Sequence, residues 1–285
     1  HITMLVDEKL KDVVLFNPYL DEVVTIDKKG RDNSILSLWA CSRHLSKLDF
    51  DVLINLHPNE RCSFIDAMTN VKLRTGTTHK IFKWFWDVFT PLDRSMHAAD
   101  MYLDVLQQLG VQDLSSNGLE IFPGEEHFLE AELFWQEQNI TDQDKLIGFN
   151  IGSAVPTKRW PPERFAEVAD IFAAKGYKTV FFGGPMDEEM VAEATGYMQT
   201  HPIIATGHFA IGGLAAAMRR CCLIITNDSG PMHVAISQKV PIVAMYGPSN
   251  PKLYGPYTKD AVIVTAQPPC QGCADGMKHL SLIHI

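Results

Sequence analysis

The sequence predicts an α/β fold made of two domains, each with a parallel β-sheet covered by helices. Apolar, strand-like runs alternate with amphipathic, helix-like stretches along the 285 residues. Short loops join them, which is typical of βαβ units. Between residues 111 and 144 the composition turns acidic and polar, with GLEIFPGEE at its centre. We therefore expect one domain at 1–140 and a second at 141–285.

The second half shows the alternation most clearly. Paired prolines start its first helix and Gly176 ends it, as expected for helix termini. The predicted strands are 145–152, 178–185, 221–227 and 240–247, and the predicted helices are 161–177, 186–198, 211–220 and 230–238.

The first half repeats the pattern less regularly. ITMLV, DEVVTID and FDVLINL have the apolar character of strands, and Gly110 ends a well-formed helix. The predicted strands are 2–6, 21–27 and 50–56, and the predicted helices are 8–17, 33–47, 62–70 and 96–110.

Composition excludes several classes of protein. The net charge of −9 argues against sequence-independent binding of nucleic acid, which needs a basic surface. No apolar run approaches the roughly 20 residues that span a bilayer. The six cysteines lack a dense disulfide spacing, which indicates a reducing, cytoplasmic compartment. Cys270, Cys273 and His279 resemble zinc ligands only superficially, because no second Cys-x-x-Cys pair accompanies them.

Polar or glycine-rich loops follow four predicted strands of the second domain. Right-handed βαβ connections place the carboxyl ends of these strands at one edge of the sheet, where open α/β sheets bind ligands. The loops read NIGSAVPTK, FFGGPMD, TNDSGPMH and AMYGPSN. They predict a ligand site at this edge.

The TNDSGPMH loop, residues 226–233, is the most informative of the four. Gly230 permits close approach of a ligand, and Pro231 suits the first turn of a helix. The N–H groups and partial positive charge of that helix end can bind a phosphate or diphosphate. Alternatively, Asp228 and Ser229 cap the helix. The residues alone leave these two interpretations balanced.

Three other residues near this edge carry weaker signals. Lys158 can neutralise a phosphate, although an isolated lysine is more often a solvated surface residue. Asp187 suits a contact to a ribose hydroxyl, but an acid in a first helical turn also stabilises the helix by itself. His233 either donates to a phosphate or packs within its helix. Together on one edge, these residues favour a nucleotide diphosphate.

Residues 224–257, IITNDSGPMHVAISQKVPIVAMYGPSNPKLYGPY, closely resemble the signature of glycosyltransferase family 9, the ADP-heptose:lipopolysaccharide heptosyltransferases. The resemblance extends to GSAVPTKRWP, GGPMD, NPYLDEVVTID and FDVLINLHPNERC. It implies a GT-B fold, in which two Rossmann-like domains face each other across a cleft. The second domain then binds the nucleotide sugar and the first binds the lipid acceptor.

The resemblance also assigns roles to residues. It places the donor phosphates at Ser153 and Lys158, with Lys158 stabilising the leaving group, and the ribose near Asp187. It places Phe209 beside the adenine. The diphosphate and sugar are assigned to Asp228, Ser229, Gly230 and His233. Family members are inverting enzymes that need no tightly bound metal or other cofactor.

The chain departs from the family pattern at its start. The presumed general base of the family is an aspartate in a glycine–aspartate loop after the first strand, and residues 1–6 align with the second strand. The first strand of the N-terminal domain is therefore expected to be missing, which leaves two unpaired strand edges. We expect residues 1–285 to be an N-terminally truncated fragment that cannot catalyse the reaction.

Two features of the first half suit an acceptor bound at a membrane. His57, Asn59 and Arg61 follow a predicted strand, and Arg61 can contact acceptor phosphate or carboxylate groups. A plain surface loop is almost as good an explanation. Residues 79–89, HKIFKWFWDVF, mix lysines with aromatic residues as interfacial segments do, but core packing explains these aromatics somewhat better.

The sequence therefore predicts an inverting transferase that moves heptose from ADP-heptose to the lipopolysaccharide inner core. We expect a cytoplasmic monomer, peripheral on the inner membrane, whose partners are a nucleotide sugar and the lipid A-core acceptor and not nucleic acid. A sugar-nucleotide epimerase on a similar fold and a non-catalytic nucleotide-binding module are the alternatives. An epimerase would need acid and base residues around the sugar ring, and the sequence shows no convincing set.

Overall fold

The computed structural model describes residues 1–57, 59–77, 83–114 and 116–265, with only the backbone of residue 83. The chain divides into two compact units. Unit 1 comprises His1–Lys11 and Tyr19–Ser116, and unit 2 comprises Asp12–Pro18 and Asn117–Ile285. The division falls before residue 117, earlier than the predicted boundary after residue 140. The reason is a helix at 125–137 whose apolar face packs in the core of unit 2.

The strands and helices keep the predicted alternation. The strands are β1 (Thr3–Asp7), β2 (Glu22–Ile26), β3 (Val52–Asn55), β4 (Leu73–Gly76), β5 (Val88–Phe89), β6 (Leu146–Asn150), β7 (Lys178–Phe182), β8 (Ile203–Ile204), β9 (Cys221–Asn227), β10 (Ile242–Met245) and β11 (Ala261–Val264). The α-helices are α1 (Lys11–Val14), α2 (Ile35–Leu45), α3 (Glu60–Met68), α4 (Ala98–Gln108), α5 (Glu125–Glu137), α6 (Pro162–Ala174), α7 (Glu188–Tyr197), α8 (Ile211–Met218), α9 (Gly230–Ser237) and α10 (Pro251–Tyr254).

Unit 2 contains a six-stranded sheet in which every pairing is parallel. The strand order is β11-β10-β9-β6-β7-β8. The chain runs outward from β6 through β7 to β8, then returns to the other side of β6 with β9 and continues through β10 to β11. This is the doubly wound Rossmann arrangement, and its topological switch point lies between β6 and β9.

Helices cover both faces of this sheet because side chains of each buried strand alternate between two cores. On one face, Phe149 and Phe181 pack with Phe165 of α6 and Val191 of α7. On the other face, α5, α8 and α9 form a larger core with strand residues such as Phe182. Strand β6 is buried along its whole length, as expected for the centre of the sheet.

Two helices end where glycine permits a left-handed backbone. Gly110 follows α4 with φ of 93°, and Gly176 follows α6 with φ of 85°. Both helix ends lie where the sequence predicts them.

Unit 1 contains two smaller parallel sheets. Strand β1 pairs with β2, and β3, β4 and β5 form a separate three-stranded sheet. Within the described residues, β1, β2, β3 and β5 therefore each pair on one side only, and the missing first strand stays a prediction. The core of this unit is built around Ile26, Leu38, Leu45 and Ile65.

Several elements differ from the sequence prediction. The helix expected at 8–17 is a 3₁₀ turn at Glu8–Leu10 followed by the short α1. The helix expected at 62–70 begins at Glu60, because the side chain of Asn59 caps it. Strands β4, β5, β8 and β11 and helices α5 and α10 were not predicted. In the part of the chain that the structure describes, no helix is long and apolar enough to cross a membrane.

Candidate functional site

The four predicted loops lie at one edge of the unit 2 sheet. The last residue of β6, Asn150, is in register with Thr226 of β9 and with Phe182, the last residue of β7. Asn227 of β9 is in register with Met245, the last residue of β10. The loop after β6 and the loop after β9 therefore leave the sheet side by side at the switch point, where ligands bind in this fold.

Lys158 and Asp228 form a largely buried ion pair at this edge. Lys158 ends a 3₁₀ turn, Pro156–Lys158, in the loop after β6, and its Nζ lies 2.7 Å from Asp228 Oδ2. The side chains are 19% and 7% exposed. Lys158 is therefore not a solvated surface lysine, the alternative that the residue alone favoured. The pair places one cation, already partly desolvated, beside the start of α9.

Tyr246 holds the other carboxylate oxygen of Asp228. Its ring is fully buried, and its hydroxyl lies 3.2 Å from Asp228 Oδ1 and 2.8 Å from the carbonyl oxygen of Tyr254. Burial and the neighbouring Asp228 raise the pKa of the Tyr246 hydroxyl. The phenol therefore stays protonated, and its single proton is shared between the carbonyl oxygen of Tyr254 and Asp228 Oδ1, the first being the shorter contact.

The first turn of α9 carries no side-chain cap. Ser229 occupies the N-cap position, yet its Oγ makes no capping bond and accepts a hydrogen bond from Asn150 Nδ2 at 2.9 Å. Asp228 is bound to Lys158 and Tyr246 instead. The interpretation that Asp228 and Ser229 merely cap the helix is therefore not supported. The start of α9 keeps the character of an anion site.

Gly230 and His233 lie in this first turn. A Cβ added to Gly230 would meet no atom of the described structure within 4 Å, so the space beside this residue is open. His233 is partly exposed on α9. Both positions are compatible with a diphosphate at the helix start, and their contacts to a donor stay predictions.

Two asparagines tie the loops after β6 and β9 together. Asn227 Oδ1 accepts the backbone N–H of Trp160 at 3.0 Å, and its Nδ2 donates to the carbonyl oxygen of Ile151 at 2.7 Å. Asn150 Oδ1 is buried and has no hydrogen-bond partner among the described residues. A buried acceptor of this kind needs a donor, which a bound ligand or water can supply.

Hydrogen bonds within the loop after β6 also hold its conformation. Ser153 is buried, and its Oγ accepts the backbone N–H of Val155 at 3.4 Å. The carbonyl oxygen of Ser153 accepts from Arg159 Nε at 2.8 Å. These contacts fix the turn that carries Lys158, and the predicted contact of Ser153 to a donor phosphate stays a prediction.

Asp187 performs the helix-stabilising role that the sequence left open. Its Oδ2 accepts the backbone N–H of Gly184 at 2.9 Å, which caps the turn after β7. The carboxylate also packs closely on Gly152, because a Cβ at that position would lie 2.3 Å from Asp187 Oδ1. Asp187 therefore joins the loops after β6 and β7. A contact to ribose stays a prediction.

Phe209 packs against α5. Its ring meets Phe134 edge-on at 5.1 Å between centroids and His208 at 4.6 Å. The side chain is half-buried beside the larger core. The structure thus gives Phe209 a packing role, and its contact to adenine stays a prediction.

Two cavities in unit 2 do not suit a diphosphate as well as the start of α9 does. One, of about 450 Å³, is lined by Arg159, Trp160 and Met186 but also by three glutamates, Glu163, Glu189 and Glu193. Three carboxylates against one guanidinium disfavour an anion. The other, of about 700 Å³, lies beside Trp135, Arg219 and Arg220, which precede β6 and β9 and so belong to the opposite edge of the sheet.

The acceptor-side residues lie at the carboxyl end of β3 in unit 1. Asn59 caps α3, with its Oδ1 accepting the N–H of Cys62 at 2.9 Å. Arg61 Nη1 donates to the carbonyl oxygen of Lys28 at 2.6 Å. Partial desolvation of the His57 imidazole lowers its pKa, and nearby Lys28 lowers it further. These roles are those of a surface loop, and acceptor contacts stay predictions.

The aromatic side chains of segment 79–89 differ in burial. Trp86 is buried against Gly76, whereas Trp84 is 83% exposed and Phe85 is 46% exposed. Core packing thus accounts for Trp86 alone among these three rings. Residues 79–82 lie outside the described residues.

The structure describes only four of the six cysteines. Cys41, Cys62, Cys221 and Cys222 are free thiols. Cys270, Cys273 and His279, the weak zinc candidates, lie outside the described residues. Among the residues that are described, no three His, Cys, Asp or Glu side chains form a group that could hold a metal ion.

Sequence reasoning missed three residues that build the site: Asn150, Asn227 and Tyr246. The asparagines end their strands, which is the signal that could have singled them out, because a polar residue closing a buried strand points to the ligand edge. Tyr246 ends an apolar run and gives no such signal.

Known proteins resemble this chain in sequence and in fold. The model of glycosyltransferase family 9 (heptosyltransferase) matches residues 38–284. A lipooligosaccharide heptosyltransferase 2 of Haemophilus ducreyi is 34% identical over 139 residues, which cover 46% of this chain and 40% of that protein. The chain thus matches less than half the length of this relative.

Two solved structures extend the likeness over the chain. A glycosyltransferase family 9 protein from Veillonella parvula is 55% identical, with a TM-score of 0.92 covering 94% of this chain and 78% of that one. The E. coli ADP-heptose lipopolysaccharide heptosyltransferase II is 20% identical, with a TM-score of 0.74 covering 99% and 86%. This second likeness supports the GT-B fold class. The family model and the Veillonella structure together show that the chain belongs to glycosyltransferase family 9.

Proposed function

We propose that unit 2 binds the diphosphate of a nucleotide sugar at the start of α9, and that the protein transfers the sugar to a lipid-linked acceptor. The observation that carries this proposal is the buried Lys158–Asp228 pair beside an uncapped helix start at the switch point. Lys158 and the positive end of α9, with the N–H of Gly230, match the charge and the hydrogen-bonding needs of a diphosphate.

In this proposal the donor is ADP-heptose and the acceptor is the inner core of lipopolysaccharide. Support comes from the family and from relatives named as heptosyltransferases of lipooligosaccharide and lipopolysaccharide. The protein then acts as a monomer at the cytoplasmic face of the inner membrane, without a tightly bound metal.

Transfer with inversion is a single displacement. The acceptor oxygen attacks the anomeric carbon, a base takes its proton, and the bond from that carbon to the diphosphate oxygen breaks. Lys158 and the positive end of the α9 dipole, with the N–H of Gly230, balance the charge that develops on the departing diphosphate. Before the donor binds, Asp228 holds Lys158, so the diphosphate takes up a cation that is already in position.

Lys158 thus stabilises the leaving group, and the residues described above do not include an assigned base. That residues 1–285 alone do not catalyse transfer stays a prediction. It is tested by assaying this stretch with donor and acceptor, and turnover would refute it.

Nucleotide preference tests the donor assignment. Titration calorimetry with ADP, UDP and GDP should show tightest binding for ADP. A preference for UDP or GDP would contradict the proposal and favour another nucleotide-sugar enzyme, such as an epimerase. ADP binding that is never followed by transfer, in a chain that also carries the glycine–aspartate loop of the family, would indicate a non-catalytic binding module.

A further inference from the structure

The start of helix α2 exposes a group of large apolar side chains. Ile35 is 72% exposed, Leu36 77% and Trp39 48%. With 3.6 residues per turn, positions 35, 36 and 39 together span about 100° of the helix surface, whereas Leu38 and Leu45 are buried. A cluster of this kind on a helix surface marks an interaction site more often than single exposed residues do.

Cations accompany these apolar side chains. Residues 28–47 hold five Lys or Arg and one Asp in a chain whose net charge is −9, and one of the five, Arg31, is paired with Glu8 and Asp32. Beyond Trp39, Arg43 is exposed on α2 and Lys47 is exposed in the 3₁₀ turn at Ser46–Leu48 that follows the helix. Apolar and basic side chains on one helix face are the composition by which helices bind anionic membrane surfaces.

The patch lies on the same side of unit 1 as the acceptor-side residues. Helix α2 begins after the carboxyl end of β2, and the loop between them includes Lys28. The carbonyl oxygen of Lys28 accepts a hydrogen bond from Arg61, in the segment that follows the carboxyl end of β3. This bond joins the loop before α2 to the segment after β3, so the start of α2 lies near the acceptor-side loop.

We propose that Ile35, Leu36, Trp39, Arg43 and Lys47, the α2 patch, dock on an anionic phospholipid bilayer. Charge favours a bilayer over a second copy of the chain, because a two-fold contact of this patch would face like charges toward each other. The inference deepens the proposed function, since a lipid-linked acceptor is presented at such a surface. Vesicle binding without nucleotide tests it separately from donor binding.

Vesicle flotation provides the test. The protein should bind vesicles of phosphatidylglycerol and phosphatidylcholine, bind pure phosphatidylcholine weakly, and lose binding as salt rises. The triple variant Ile35→Ser/Leu36→Ser/Trp39→Ser should lower the apparent affinity for the anionic vesicles by about tenfold or more. The matched control is Leu129→Ser/Leu133→Ser, which changes side chains of α5 that are 58% and 50% exposed. It should bind like the wild type.

Charge reversal separates the electrostatic part. Arg43→Glu/Lys47→Glu should weaken binding to anionic vesicles, whereas Lys175→Glu/Lys178→Glu, which reverses two exposed lysines of unit 2, should not. Every substituted side chain is exposed, so each variant should fold like the wild type. The melting temperature, followed by circular dichroism, checks this.

Three results would overturn the proposal. The wild type fails to float with anionic vesicles, or the triple variant floats as well as the wild type. The third result is that the wild type does not bind vesicles and the triple variant changes the sedimentation of the protein. That result would make the α2 patch a contact between two copies of the chain.

Discussion

The side chain of Lys158 is central to the proposed function at the scale of single residues. Its ion pair with Asp228 holds the ammonium group of Lys158 in a partly desolvated position. Charge-assisted hydrogen bonds are stronger there than at an open surface. We expect Lys158→Ala to weaken ADP binding by about tenfold or more, since a hydrogen bond to a charged group contributes roughly 1.5–3 kcal/mol. Titration calorimetry measures this loss.

Stability must be separated from binding in that experiment. Removing Lys158 leaves the buried Asp228 carboxylate without its cation, which destabilises a fold by about 3–5 kcal/mol in typical buried pairs. The double variant Lys158→Ala/Asp228→Asn should recover the melting temperature without recovering ADP affinity. Lys175→Ala, at an exposed lysine of the same unit, should change neither. Wild-type ADP affinity in Lys158→Ala would remove Lys158 from the site.

Asp66 in unit 1 gives a prediction about pH. It is buried under the end of β3, where Asn55 Nδ2 donates to its carboxylate. Burial raises the pKa of Asp66 from 3.8 to about 7, although Asn55 and Arg74 partly oppose the shift. The folded protein therefore binds a proton more tightly than the unfolded chain does between about pH 4 and pH 7.

The sign of the effect follows from this difference. The stability that protonated Asp66 provides is fully present below pH 4 and is lost as pH rises through 7, at up to about 1.4 kcal/mol per pH unit. Asp66→Asn keeps an oxygen to accept from Asn55 and cannot ionise, so it should flatten this slope. Urea unfolding between pH 4 and pH 8 measures it. An unchanged slope in Asp66→Asn, with the exposed Asp51→Asn as control, would refute the assignment.

At the scale of elements, the sequence predicts the sheet of unit 2 well because its strands are buried on both faces. Continuous apolar runs that end in glycine or asparagine mark β6, β7, β9 and β10, and short helices separate them. The four loops at the carboxyl edge follow directly from that order. The two-residue β8 carries too little pattern to be recognised.

Helix α5 shows why other elements were missed. Its sequence, EEHFLEAELFWQE, is acidic, and by composition it belongs to the polar boundary predicted at 111–144. The buried residues His127, Ala131 and Phe134 nevertheless recur at helical spacing, and acids in the first turn suit a helix start. Composition outweighed periodicity there, and the predicted domain boundary came too late in the chain as a result.

For the candidate site, the sequence predicts which residues take part but not which of them contact each other. The sequence identified Lys158 and Asp228 as members of one edge, because each follows a strand. It could not show that they bind each other, since they are 70 positions apart and the contact depends on the return of β9 to the side of β6. The support from Tyr246 depends on the fold in the same way.

At the scale of the whole molecule, the two units differ in the size of their cores. Unit 2 has two extensive clusters of buried apolar residues, one on each face of its sheet, whereas the cluster of unit 1 is built around four. Burial of apolar area is the main stabilising contribution to folding, so unit 2 should be the more stable of the two. We expect heating to unfold unit 1 first and unit 2 second.

A ligand of unit 2 should act on the second transition alone. At a concentration of about 100 times its dissociation constant, ADP stabilises the fold that binds it by roughly 2.7 kcal/mol and leaves other folds unaffected. Scanning calorimetry with and without ADP should show the higher transition moving upward while the lower one stays in place. Lys158→Ala should abolish that movement. A single transition that ADP shifts as a whole would show instead that the two units unfold together, and a shift of the lower transition alone would place the nucleotide in unit 1.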